Sequence, residues 1–217
     1  MANMLGEITL GEVRGAICDL IEKLSGENGS EWLTALKKFL RKENPWVVTE
    51  TKRSWLEENG IIYFSVTSDG TTGEEWIKIL ENNDFRVGEY AKRDLRSPNF
   101  KPTNGVTTKI AILKGALFKD RDRTTKEIRT EANKRRLSKP SAELACLIRK
   151  KFTDKEIEEM GLCYIIVMHE PFDNSGVLSL LSADCDGCGN WLSNHNGTPN
   201  IGWCINSGFA FSVSEIN

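Results

Sequence analysis

Long apolar runs are missing from this sequence. None approaches the roughly 20 residues of a membrane-spanning helix, so a helical span is excluded. Histidine occurs only twice. There is also no HExxH, no nucleophile elbow and no Gly-Lys phosphate cradle, which removes the common signatures of metalloproteases, serine hydrolases and nucleotide-binding enzymes. A strong charge of one sign is absent too: 29 Lys and Arg meet 31 Asp and Glu, so the whole chain does not read as a polyanion binder. Near the N-terminus Glu7, Glu12 and Asp19 interrupt the apolar positions where a signal peptide needs an unbroken run. A cytoplasmic protein is the default expectation, with surface display left open. What is present, 39% apolar and 28% charged residues in 217, is too apolar for a disordered chain and suits a folded one.

The charges are unevenly placed. From Lys119 to Lys151 there are 12 Lys or Arg against five acids, a local net charge of +7, whereas no Lys or Arg follows Lys155. The cysteines are skewed as well. Cys18, Cys146 and Cys163 have apolar neighbours and read as core thiols. Cys185, Cys188 and Cys204 crowd into a Gly- and Asn-rich segment, where exposed thiols are unexpected.

The pattern predicts an α+β fold. Residues 1–45 read as a helical hairpin: a Thr9/Glu12 capping box opens a face of Val13, Ile17, Leu20, Ile21 and Leu24. Trp32, Leu36, Phe39 and Leu40 repeat the period before Asn44-Pro45. Residues 46–104 read as a small α/β support region, with a strand over 61–67 and a helix opened by Thr72/Glu75. The Pro/Asn/Gly stretch at 97–105 reads as a linker. Residues 105–217 then form a second domain. Its expected elements are a strand at 107–113, basic helices at 125–137 and 141–152, and a short helix after Thr153/Glu156. Strands at 162–168 and 177–181 follow, with a closing one carrying Phe209, Phe211 and Val213.

Between Cys185 and Gly208 the chain runs C-D-G-C-G-N-W-L-S-N-H-N-G-T-P-N-I-G-W-C-I-N-S-G, with no Lys, Arg, Glu or Met. A loop-like stretch this long inside a compact domain is functional or disordered, and two Trp residues argue against disorder. Asn, Ser, Gly and aromatic residues are what binding surfaces use for adaptable contacts. The lack of long charged side chains lowers the ordering cost of binding.

This segment resembles the variable region of the target proteins of diversity-generating retroelements, which have a C-type-lectin-like fold. The resemblance covers about 105–217. In that family a reverse transcriptase mutates template adenines, and codons such as AAC are the main targets. The products include Asn, Asp, Ser, Gly, His, Cys, Ile and Thr but never Lys, Glu, Gln, Met or Trp. The resemblance implies a variable region at 185–207. Its ligand-binding residues would be Cys185, Cys188, Asn190, Ser193, Asn194, His195, Asn196, Thr198, Asn200, Ile201, Cys204, Ile205, Asn206 and Ser207. Trp191 and Trp203, whose codon has no adenine, would persist as scaffold with Phe209 and Phe211 of the closing strand. It further implies a non-enzymatic protein without cofactor that meets a protein or other macromolecular ligand through this surface. The two helices and antiparallel strands would be the lectin-like domain, and the α-rich N-terminal part a support. Oligomeric state stays unknown.

Other constellations compete. Cys185, Cys188, His195 and Cys204 could close a structural zinc site, giving a small interaction or nucleic-acid-binding module. The spacing departs from a zinc knuckle, and no basic residue stands beside it to favour nucleic acid. The basic helices could meet phosphates, although such runs are commonly the solvated face of amphipathic helices. Nucleic acid is therefore not an expected partner. Cys146 with His169 and Glu170 is the one Cys/His set that could support catalysis. Cys146, between Leu144 and Leu147, reads as core instead. Glu170-Pro171 with Asp173 and Asn174 lacks the Glu-Pro-Asn order of calcium-dependent lectins, so calcium and sugar are not carried over. No metal is expected.

Overall fold

The computed structural model describes residues 10–41, 53–174, 176–185 and 190–214, apart from the side chains of 10–13, 16 and 190. The Thr9/Glu12 box, the Asn44-Pro45 stop and Cys188 lie outside the described residues. The chain divides into two units, Met1–Arg53 and Ser54–Asn217.

In the first unit, α1 (Leu10–Ser25) and α2 (Gly29–Leu40) form the expected hairpin. At the turn a Cβ on Gly29 would lie 2.2 Å from the Leu24 carbonyl oxygen, so only glycine allows so close an approach. Lys23 lies 5.0 Å above the Trp32 ring. No α2 side chain is buried.

The second unit opens with β1 (Leu56–Glu58) and β2 (Ile61–Asp69). Asn59 and Gly60 join them with φ of 52° and 75°, the positive pair that a tight hairpin turn demands. Then come α3 (Gly73–Asn82), β3 (Arg86–Val87), α4 (Glu89–Leu95) and β4 (Asn104–Lys114). The basic stretch holds α5 (Thr125–Lys134), β5 (Leu137–Ser138) and α6 (Leu144–Lys151), followed by α7 (Asp154–Glu159). The chain ends in β6 (Tyr164–Val167), β7 (Phe172–Asn174), β8 (Val177–Cys185), β9 (Asn190–Asn196) and β10 (Ser207–Val213). Thr72/Glu75 and Thr153/Glu156 form complete capping boxes. Thr124 caps α5 by accepting from the Glu127 N–H, but the Glu127 carboxylate does not return the bond.

The strands make one mixed sheet, α+β in organisation, of ten strands among the described residues. Its main path runs β1-β2-β4-β10-β6-β8-β9-β3. The closing strand β10 lies antiparallel to β4 and parallel to β6. Alternation sends successive side chains to opposite faces. Ile110, Ile112 and Ala210 join α3, α6 and α7 in one core; Ala111, Leu113, Phe209 and Phe211 join Ile128 and Ala132 of α5 in the other.

The expected boundary at 105 is corrected by strand pairing. β2 pairs with β4 from Ile61↔Leu113 to Thr67↔Thr107, so 54–104 belongs to the same sheet as the rest. Nor is 97–105 a linker. Phe100 is buried, and Thr103 donates from both its N–H and its hydroxyl to the Glu143 carboxylate.

Candidate ligand-binding surface

Strand β9 carries few apolar residues, yet it pairs with β8 from Cys185↔Asn190 through Ser179↔Asn196. Because β8 is buried along most of its length, pairing with it holds β9 in register despite this composition. On one face of β9, Leu192 enters the first core and Asn194 donates to Asp94 at 3.0 Å. On the other face lie Trp191, Ser193 and His195.

Beyond β9 the main chain is tied down at close intervals. Gly197 N–H donates to Leu178, and Thr198 N–H to the Asn196 side chain. Two N–H groups in the first turn of α5, on Thr125 and Lys126, donate to the carbonyls of Ile201 and Pro199. Trp203 N–H donates to Arg123 O, and Cys163 N–H to Asn206 O. The buried Arg123 guanidinium gathers the same region, donating to the carbonyls of Gly115, Phe118 and Trp203 and to Asp120. A loop of this composition thus acquires a defined path without regular secondary structure.

The fixed path surrounds a cavity of about 290 Å3 lined by Tyr164, His195, Asn196, Ile201, Gly202, Trp203, Cys204 and Ser207. Its aromatic side is a chain of edge-to-face contacts, Tyr164–His195 at 5.6 Å, His195–Trp203 at 5.9 Å and Trp203–Phe209 at 5.8 Å. Trp203 is oriented by its indole N–H, which donates to Thr125 Oγ1 at 3.0 Å. His195 is oriented by Nε2, 3.2 Å from the buried carboxylate of Asp184. The walls therefore offer ring faces and edges, one imidazole, one thiol and one side-chain amide.

The expected surface residues separate into three groups. Asn196, Asn200, Cys204, Ile205 and Asn206 are exposed, and Ser193, His195, Thr198 and Ile201 are partly exposed. Asn194 is half-buried and committed to Asp94. Cys185 and Ser207 correct the expectation, because both are buried. Cys185 ends β8 with its thiol donating to the carbonyls of Leu162 and Cys163, and burial pushes that thiol up to about 12. Of Asn190 only the backbone is described, within β9. Among the scaffold residues Phe209 and Phe211 are buried and Trp203 packs partly buried against their core. Trp191 is half-buried, its ring 5.4 Å from the Arg86 guanidinium carbon.

Of the four candidate zinc ligands, Cys188 lies outside the described residues, and Cys185 and His195 have other partners. Cys185 faces main-chain carbonyls while His195 faces Asp184. Among the described residues no group of three His, Cys, Asp or Glu side chains is placed to hold a metal. Cys146 is fully buried, which pushes its thiol well up. His169 is buried too, and desolvation brings it down to about 4. Its Nε2 accepts from Leu181 N–H at 3.0 Å, so Nδ1 carries the proton and donates to Glu170 O. No hydrogen bond joins Cys146 to His169 among the described residues.

Asp94 is a participant that sequence patterning missed. Fully buried, it accepts from Asn174, Ser179 and Asn194. Its signal was present: it follows Ala91 by three positions, on the buried face of α4 with that residue. Neither a protein-family model, nor a curated protein, nor a solved structure matches this chain.

Proposed function

We propose that this chain is a non-enzymatic ligand-binding protein that displays a hypervariable surface on a C-type-lectin-like scaffold. In this reading adenine-directed mutagenesis from a retroelement diversifies the surface. The observation that carries it is a division of labour within 196–206. Backbone groups of this segment are bonded to α5, Arg123 and Cys163, while the side chains of Asn196, Asn200, Cys204, Ile205 and Asn206 are exposed. Apart from the Asn196 side chain, which accepts from Thr198 N–H, the bonds that hold this main chain involve none of the exposed side chains. A surface held in that way tolerates substitution, which is the physical requirement of diversification. The adjacent antiparallel β4 and β10, with α5 and α6 between them in sequence, are consistent with the lectin-like part of the reading.

In mechanism, ligand meets the aromatic cavity and its rim. Ring faces and edges supply contact area at low ordering cost, and Asn and Ser groups supply hydrogen bonds. The test is to sequence the locus and its flanks from many cells. A nearby near-copy of the segment, differing only where the copy has adenine, is the expected result. An invariant segment with no such copy overturns the reading.

A further inference from the structure

A second cavity, of about 360 Å3, is bordered by Gly197 and Pro199 of the same loop. Leu137, Leu178, Phe211, Pro171 and Pro199 give it apolar walls. Along one wall α5 contributes Lys126, Arg129 and Asn133, a spacing of three and four residues that places them on one helix face. Lys139 and Glu170 also line it, and they pair with each other. Three cations thus face a single carboxylate.

The cations differ in their commitments. Arg129 is held in place, Nη1 donating to Met168 O at 3.1 Å and Nη2 to His169 O at 2.8 Å. Burial lowers its guanidinium from the ordinary arginine range, the direction that a nearby anion would reverse. Lys126, one turn earlier, makes no side-chain hydrogen bond or ion pair among the described residues. Asp94 and Asp184 do not line this space. An apolar hollow with uncompensated positive charge along one edge matches a molecule with one anionic end and an apolar body.

We infer that this cavity binds a small alkyl or arylalkyl carboxylate. Its carboxylate would lie between Lys126 and Arg129 and its apolar body against Leu178 and Phe211. None of the side chains expected to vary lines the cavity; of the 196–206 loop only Gly197 and Pro199 do. The ligand is therefore constant while the neighbouring surface changes. The inference stands on the cavity and its charges, independently of whether the neighbouring surface is diversified.

Titration calorimetry on the full chain with octanoate, 1-octanol and inorganic phosphate tests it, together with amide chemical shifts. Octanoate should bind saturably at one site per chain, with shifts centred on Leu178, Gly197 and Phe211. Octanol and phosphate should each bind at least about tenfold more weakly, because each lacks half of the recognition. K126Q should weaken octanoate by about tenfold, as expected for one lost charge-assisted contact. E170Q, which removes the opposing carboxylate, should tighten it. Lys126 is exposed, so K126Q should keep the parent melting temperature; should it not, K126R must retain binding. Absent saturation, equal affinity for octanol, unchanged binding in K126Q, or shifts centred on His195 and Trp203 would each overturn the inference.

Discussion

Asn194 and Asn206 are the same residue in one short segment, but they sit in different physical situations. Asn194 lies on the core-facing side of β9, and its amide donates to Asp94, a fully buried carboxylate. Asn206 is exposed, and the bond it contributes comes from its backbone carbonyl, which any residue would supply. Strand β9 ties side-chain identity to folding; the loop after it ties only the main chain. Variation is cheap in the second case and costly in the first, and codon arithmetic alone does not distinguish them.

The largest effects should come from the floor beneath this surface. Phe209 is fully buried and contacts both Trp203 and Phe118 edge-on. Phe209→Ala should cost about 4 kcal/mol, read as a lower denaturant midpoint. A loss below about 1 kcal/mol would mean that the loop is not anchored there. His169 gives the next effect, through pH. Its proton binds near 4 in the folded chain and near 6.5 when unfolded, so unfolding takes up a proton between those values. The contribution is complete above pH 6.5, declines by about 3 kcal/mol as pH falls to 4, and does not change below that. Denaturant titrations across this range should show the decline in the parent chain and its absence in H169Q.

Much of the fold was legible in local pattern. The complete boxes at Thr72 and Thr153 and the apolar strands around 61–67, 107–113 and 162–168 all rest on neighbours in sequence. What escaped depends on distant partners. The 97–105 stretch has linker composition, but Glu143, some 40 residues away, holds Thr103. Cys185 has the Gly- and Asn-rich neighbours of a loop residue, but pairing with β6 and β9 buries it. Strand β9 reads N-W-L-S-N-H-N, with no strand alternation, and is a strand because β8 dictates it. The site shared this limit. His195, Trp203 and Cys204 were visible as candidates, whereas Tyr164, Asp184, Arg123 and Thr125 join them only through tertiary contacts.

The two asparagines sharpen the comparison directly. Asn194→Ala removes one donor from buried Asp94, leaving Asn174 and Ser179, and should cost about 2 kcal/mol. Asn206→Ala should stay within about 0.5 kcal/mol. Paired thermal melts would settle the contrast, and equal losses would dissolve the distinction between strand and loop.

The smallest expected change in stability is also the most informative about function. Replacing Asn196, Asn200, Ile205 and Asn206 together with Ser, Asp, Thr and Tyr alters exposed side chains while leaving the loop's main-chain bonds to α5, Arg123 and Cys163 in place. Each position should contribute within about ±0.5 kcal/mol, so the melting temperature should change little. The binding profile against a peptide or protein-display library should change nonetheless, because Asn196 lines the His195–Trp203 cavity and the other three are exposed on the same loop. An unfolded quadruple variant would mean that the side chains themselves hold the loop. A folded variant with an unchanged profile would place ligand recognition elsewhere on the molecule, and the bonds that pin 196–206 would then serve the fold alone.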